Sequence, residues 1–445
     1  MSDLSQRPAA PSFSVGFLSG LGGQLAYLLL ALPASVLLAR LLGPEGKGAA
    51  DLALLLPTLV TLFANFGFGY AGSYLVGSRR FPPGEIIATM VSLWLLMAAL
   101  LTPAYACLAA FGLLAPLAPH VGRSLLLLGA LGIPLGLGRQ ILGSLLLGLQ
   151  RFIAYNSVQV LFGGASLVGV VGFVWLASLG PGGGVAASVT AQLVCVLYVL
   201  FMLRGAWPGY PRLNGGILRE AVWYGARGQV GDILQFFNYR LDVILLGHFR
   251  SLAEVGLYTL AVSLAELLWY IPHASALVVL PRTAASQAEA RHLTPLVFRM
   301  TWALTFLGAL VVAGLARPLI RMVYGEAFLG SLGPFLILLP GVVCLGGAKV
   351  LSADLGGRGA PGYNSIGALV SLVVTVILDL ALIPGRGASG AALASSLAYA
   401  TTLVYTYAIY AKLTRMPTWG LLRFGRSDLH ALRDTFARLR GARTP

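Results

Sequence analysis

Charge is scarce in this chain. Of 445 residues only 10% are Asp, Glu, Lys or Arg, and 15 are acidic. A soluble domain carries about one quarter charged residues, so an ordinary water-facing globule is excluded. Cysteine is scarcer still. Cys107, Cys195 and Cys344 lie far apart in apolar sequence, which excludes a disulfide framework and metal-ligand spacing and reads as buried structural thiols. Catalytic signatures are missing too: there is no nucleophile elbow, zinc motif or Cys/His pairing. The stretch "GPGGG" at 180–184 has neither a preceding strand nor a following Lys-Ser/Thr, so it reads as a turn and not a phosphate loop. No enzymatic activity, metal or cofactor is expected.

What is present is apolar sequence. The chain is 58% hydrophobic, with a mean hydropathy of +0.84. Blocks of roughly 20 apolar residues recur along it, each long enough to cross a hydrocarbon core about 30 Å thick. They lack the alternation of barrel strands, and lipid demands internal backbone hydrogen bonding, so they read as helices. Twelve spans are expected, near 13–39, 50–77, 85–111, 122–148, 153–179, 184–204, 217–247, 254–281, 293–316, 332–354, 363–383 and 388–411. The fold class is therefore an all-α polytopic membrane protein. Short connections leave no room for a soluble domain. Pro33, Pro57, Pro134 and Pro272 are candidate kinks or hinges.

The net charge of +15 would suit nucleic acid, but its placement argues for membrane topology. With the N-terminus cytoplasmic, the cytoplasmic segments and tail hold eighteen Lys/Arg and the opposite segments seven. This positive-inside bias predicts both termini in the cytoplasm and no nucleic-acid partner.

Two halves match at a nearly constant spacing. Gly48, Leu52, Ala53 and Leu56 recur 208 residues later as Gly256, Leu260, Ala261 and Leu264. The same offset pairs Gly148, Tyr155, Asn156 and Ser157 with Gly356, Tyr363, Asn364 and Ser365, while "GLGGQ" at 20–24 answers "GARGQ" at 225–229. Six helices return the chain to its starting side, so the repeats are parallel. The expected organisation is a short segment 1–12, a bundle over 13–204, a linker 205–216, a second bundle over 217–411 and a basic tail 412–445. Two such bundles around a cavity are an architecture for alternating access.

Span seven is the odd one: it keeps Arg227, Asp232, Arg240 and Asp242. At 100° per residue, Arg227, Asn238, Asp242, Gln235 and Asp232 fall within an arc of about 140°. A charge at mid-bilayer costs on the order of 2.5–3.5 kcal/mol on insertion scales, so this stripe is expected to face a wet cavity. Gln229 and Arg240 are exceptions on the other face. Arg227, Asp242 and Arg240 have a second option, snorkelling from the span ends. Arg139 and Gln140 lie inside span four and Lys349 inside span ten, while Gln24 closes the first glycine-rich repeat element. Arg139, Arg227, Gln235, Asn238, Lys349 and Gln24 are the candidate substrate-binding residues. Asp232, Glu266 and His273 are the candidates for coupling to a proton or sodium ion. Glu266 either binds such an ion or pairs with Arg227 or Lys349; Asp354 and Asp379, nearer span ends, read as interfacial or paired.

Two loop segments carry a resemblance. "ARLLGPEGKGAADLA" (39–53) and "DVILLGHFRSLAEVGLYTLA" (242–261) resemble the paired signatures of polysaccharide and O-antigen flippases of the multidrug/oligosaccharidyl-lipid/polysaccharide (MOP) exporter superfamily. The resemblance implies a V-shaped, MATE-like pair of six-helix bundles in a bacterial inner membrane. It implies carriage of a polyprenyl-diphosphate-linked oligosaccharide from the inner to the outer leaflet, with the headgroup in a cationic cavity. Arg139, Arg227 and Lys349 suit that cavity by position and chemistry, since an Arg fork binds phosphate bidentately; no motif assigns them. The lipid-linked substrate and the bilayer are the expected partners, with polymerase or export proteins as further ones, and the chain is expected to act as a monomer. One departure stands out: Arg227 matches uncharged Gly22 in the first half, and the acidic residues make the cavity mixed. Two other functions compete. A cation-coupled drug or small-molecule antiporter would want a mainly acidic cavity. A membrane-embedded glycan polymerase or ligase would need catalytic groups on a sizeable external loop.

Beyond the last span, Ser427 is placed to cap a helix in which Leu429, Leu432, Phe436 and Leu439 share a face away from Arg433 and Arg438. Such a segment either lies on anionic inner-leaflet lipid or stays a disordered solubilising tail.

Overall fold

The computed structural model describes residues 13–207, 209–415 and 421. The tail helix proposed around Ser427 lies outside the described residues. Among the described residues every regular element is helical: α1 Phe13–Asn65, α2 Phe68–Ser78, α3 Pro83–Ala110, α4 Arg123–Ala130, α5 Gly132–Gly148, α6 Phe152–Gly169, α7 Gly180–Leu203, α8 Gly215–Phe249, α9 Leu252–Glu266, α10 Tyr270–Ala285, α11 Gln287–Val323, α12 Leu332–Gly357 and α13 Pro361–Thr414. A π-helical turn, Val170–Leu176, extends α6, and a 3₁₀ turn, Leu267–Trp269, joins α9 to α10.

Nine described helices are long and apolar enough to cross a bilayer. Two of them hold two passes each. α1 breaks at Gly43, whose φ of 66° suits glycine and sits just before Pro44. α13 breaks at Gly387, with φ 55°. α8 is absent from the nine because its polar and charged side chains lower its hydropathy. Counting α8 and dividing α1 and α13 agrees with the expected twelve passes.

The prolines act less than expected as kinks. Pro33 and Pro57 lie inside α1, whose non-helical residue is Gly43. Pro134 follows the junction between α4 and α5, and Pro272 follows the 3₁₀ turn. "GPGGG" is also not a turn. Gly180, with φ 57°, begins α7, and Pro181 occupies its first turn, where a missing N–H costs nothing. Of the three free thiols, Cys195 is buried, Cys344 is half-buried and Cys107 is exposed on its helix, so the reading of all three as buried thiols holds for Cys195 alone. A thiol is apolar enough to face lipid.

The chain forms two compact units. The first comprises Met1–Phe236, Val243–Thr259 and Arg321–Phe328; the second comprises Phe237–Asp242, Leu260–Ile320 and Leu329–Pro445. α8 contributes to both.

Within the first unit the sequence repeat becomes a physical contact. A Cβ on Gly48 would lie 1.9 Å from the Leu252 carbonyl oxygen, and one on Gly256 would lie 1.9 Å from that of Pro44. Pro44 and Leu252 are themselves 208 residues apart, so the same contact is made twice, in opposite senses. Only glycine permits backbones this close. Beside the crossing, Lys47, buried at 5% exposure, pairs with Asp51 and donates to Thr259 Oγ1 at 2.9 Å. In the second unit, α12 and α13 approach similarly: a Cβ on Gly341 would lie 2.4 Å from Ser396 Cα.

Candidate functional site

The first unit holds a polar cavity of about 310 Å³, walled by α2, α5, α6 and α8. Its walls follow from small residues. Gly72 lies against Ser144, where a Cβ would stand 2.6 Å from Oγ, so α2 and α5 pack closely. Asn65 caps α2 by accepting from the Gly69 N–H at 3.3 Å, which satisfies one of the orphan amides of a helix start. Trp94 lies over Gly138 and donates its indole N–H to the Pro134 carbonyl at 2.7 Å. That bond fixes the rotation of α5 and turns Arg139 and Gln140 inward. Gly143 has open space on its Cβ side and lines the cavity.

Arg139 is the cation of this cavity. Its guanidinium rests 5.4 Å from the Phe162 ring centroid, and its Nε is buried without a hydrogen-bond partner. No carboxylate pairs with it among the described ion pairs. Asp232 lines the same cavity, yet its Oδ1 accepts from the Tyr70 hydroxyl at 2.9 Å. Gln140, Gln159 and Tyr155 complete a hydrogen-bonding lining. Arg139 and Asp232 stand out in the sequence as charges within spans; Tyr70 and Gln159 do not, and Tyr155 shows only as a repeat position in a chain with 17 tyrosines.

The other first-unit candidates stand apart from this cavity's lining. Arg227 is exposed and stacks over Trp223 at 4.6 Å. Gln235 and Gln24 are also exposed. Gln229, an exception on the helical wheel, is buried because its amide donates to the Leu62 carbonyl.

The second unit gathers a different set. Glu266 pairs with Arg240 at 3.1 Å. This corrects one expectation: the ion-pair partner of Glu266 is Arg240, and neither Arg227 nor Lys349. Lys349 sits 4.2 Å over the Trp269 ring and interacts electrostatically with Glu266 and His273. Tyr239, Trp269 and Tyr399 pack around them, with Tyr239 4.7 Å from Trp269 and 5.9 Å from Tyr399. His273 is exposed. Asn238 is buried at 5% exposure and donates to the Ala368 carbonyl at 2.8 Å, an interhelical hydrogen bond to α13.

Two aspartates, separate features in the sequence, come together in the fold. Asp242 and Asp379, 2% and 0% exposed, interact electrostatically. Ser395 donates to Asp242 at 3.0 Å, whereas both oxygens of Asp379 are buried without a hydrogen-bond partner. Asp379 is therefore neither interfacial nor paired with a cation. Its signal was the stripe Ser371, Thr375, Asp379, spaced by four on an apolar helix. Asp354, by contrast, is fully paired: it ion-pairs with Arg358 and accepts from Thr294 at 2.7 Å and Thr283 at 3.1 Å. Among the described residues no three His, Cys, Asp or Glu side chains cluster as for a metal ion.

Comparison with known proteins places this geometry. Residues 37–332 match the family model described as polysaccharide biosynthesis protein. No curated protein sequence matches the chain. Among solved structures, the lipid II flippase MurJ, in an inward closed conformation, is 14% identical with a TM-score of 0.78, over 97% of this chain and 94% of that one. A multidrug resistance MATE family transporter of the MOP superfamily, inward-facing, is 15% identical with a TM-score of 0.70, over 91% and 98%. A MOP superfamily transporter from Pyrococcus furiosus is 16% identical with a TM-score of 0.60, over 92% and 95%. At these identities the likeness is one of fold.

Proposed function

We propose, since the chain belongs to the polysaccharide biosynthesis protein family, that it carries a polyprenyl-diphosphate-linked oligosaccharide from the inner to the outer leaflet by alternating access. The observation that carries this reading is Arg139: a guanidinium in a polar cavity, inside an apolar helical protein, with no carboxylate paired to it among the described residues. A cation kept in such a place is costly unless something anionic meets it. An anionic group of the cargo supplies that partner, the Arg fork grips it, and the prenyl tail stays in lipid. Arg227 in the first unit and Lys349 in the second, each resting on an indole ring, are the remaining cationic candidates for contact with the cargo, each taken by itself. No bond is made or broken in this cycle.

In this reading the bundles are residues 13–204 and 217–411, the host membrane is a bacterial inner membrane, and both termini face the cytoplasm. O-antigen or a related surface polysaccharide is the final product. The Asp242–Asp379 pair takes a sodium ion or a proton as the coupling ion, because two carboxylates buried side by side favour a shared positive charge. That pair also favours the second reading, cation-coupled antiport of a small molecule.

The experiment compares chains carrying Arg139→Gln and Arg139→Lys in cells deleted for the native copy. Loss of surface polysaccharide with accumulation of the lipid-linked precursor on the inner leaflet, at unchanged protein level, is the expected result. Normal export with lost resistance to cationic compounds would instead establish the antiporter.

A further inference from the structure

We infer that the first-unit cavity binds one carboxylate-bearing sugar ring of the cargo, with Arg139 on the carboxylate, and does not bind the diphosphate. This rests on the flippase reading and specifies what Arg139 holds.

Charge is the first argument. The cavity contains one cation, Arg139, and one acidic side chain, Asp232, so the lining is formally neutral. A diphosphate carries more than one negative charge and would have to enter beside Asp232. Asp232 is half-buried, so water screens that repulsion less than it does in bulk solution. A single carboxylate on Arg139 leaves one charge balanced and Asp232 free for a different task.

Hydrogen-bond capacity is the second. A diphosphate only accepts hydrogen bonds, so an acidic wall is useless to it. Sugar hydroxyls both donate and accept. Gln140, Gln159 and Tyr155, each able to do both, line the cavity with Asp232, which accepts from sugar hydroxyls. Tyr70 already donates to Asp232 Oδ1, which holds the carboxylate in one orientation without consuming its second oxygen.

Preorganisation is the third. Arg139 is held by the Phe162 face and by the α5 rotation that Trp94 fixes, so its fork meets a planar carboxylate with little ordering cost. The volume, about 310 Å³, is at the small end of the roughly 300–1,000 Å³ typical of ligand pockets. It is of a size that seats a sugar ring.

The test uses the purified full-length protein in lipid nanodiscs, with glucuronic acid, glucose and inorganic pyrophosphate as probes at constant ionic strength and pH. Binding is read as a saturable rise in thermal midpoint. Glucuronic acid is expected to bind about 10-fold or more tightly than glucose, the worth of one charge-assisted contact, and pyrophosphate to give no saturable shift. Arg139→Gln should reduce glucuronic acid to the level of glucose. Asp232→Asn should admit pyrophosphate. Saturable binding of pyrophosphate to the wild type that Arg139→Gln removes would overturn the assignment while leaving the flippase reading intact. So would glucuronic acid binding indifferent to Arg139→Gln, or no saturable shift from any probe. Conversely, glucuronic acid bound through Arg139 in a protein whose deletion leaves precursor flipping unchanged would refute the flippase reading and keep the site.

Discussion

Arg139 and Arg240 are both guanidiniums on helices that sequence places in the membrane, and they differ in what surrounds them. Arg240 meets Glu266 at 3.1 Å, within a second-unit cluster of Tyr239, Trp269 and Tyr399. Arg139 has an aromatic ring behind it, a cavity in front, and no paired carboxylate, although Asp232 lines the same cavity. The same contrast divides two aspartates of the second unit. Asp354 is met by Arg358, Thr283 and Thr294, while Asp379 has both oxygens unpartnered. An ionic group that folding has already satisfied is explained by the fold. One that folding leaves unsatisfied needs a ligand or an ion to explain it.

The largest effect that would sharpen this contrast is on transport. Arg139→Gln should lower export of the lipid-linked precursor by about 10- to 100-fold, the worth of a lost charge-assisted contact, with the thermal midpoint nearly unchanged. A comparable fall in stability would mean that Arg139 is structural after all. Next in size is the aspartate pair. Asp354→Asn should destabilise by about 1–3 kcal/mol, since it weakens the acceptor for three donors. Asp379→Asn should leave stability equal or raise it by about 1 kcal/mol, and should abolish the dependence of transport on sodium or pH. An unchanged ion profile would remove Asp379 from coupling. Smallest are the pairwise couplings. A double-mutant cycle on Arg240 and Glu266, using Arg240→Gln and Glu266→Gln, should give an interaction of about 0.5–3 kcal/mol. The corresponding cycle on Arg139 and Asp232, which make no described ion pair, should give a smaller value in unfolding experiments. A large value there would show that the two cavity charges stabilise each other, and would break the comparison.

How much of this was visible in the sequence varies with the kind of feature. Hydropathy located the passes, but it could not reveal that the chain turns between two of them at single glycines, Gly43 and Gly387, with positive φ. The 208-residue offset named Gly48 and Gly256, and the fold shows why both are glycine: each lies against the other repeat's backbone. The helical wheel put Arg227, Asn238, Asp242, Gln235 and Asp232 on one stripe. In the structure that stripe divides, with Asp232 beside the first-unit cavity and Asn238 and Asp242 bonded to α13. Arg240, read as the outlier, turned out to be ion-paired.

Composition and periodicity thus determined by themselves that the chain is a helical membrane protein, where it crosses, and that its halves are copies. These are sums over many residues, and each residue contributes independently to the cost of entering lipid. Which charges are satisfied was decided only by the tertiary structure. Hydrogen bonds and close ion pairs depend on a few ångströms and on the rotation of each helix about its axis, and no one-dimensional pattern records where the neighbouring helix stands.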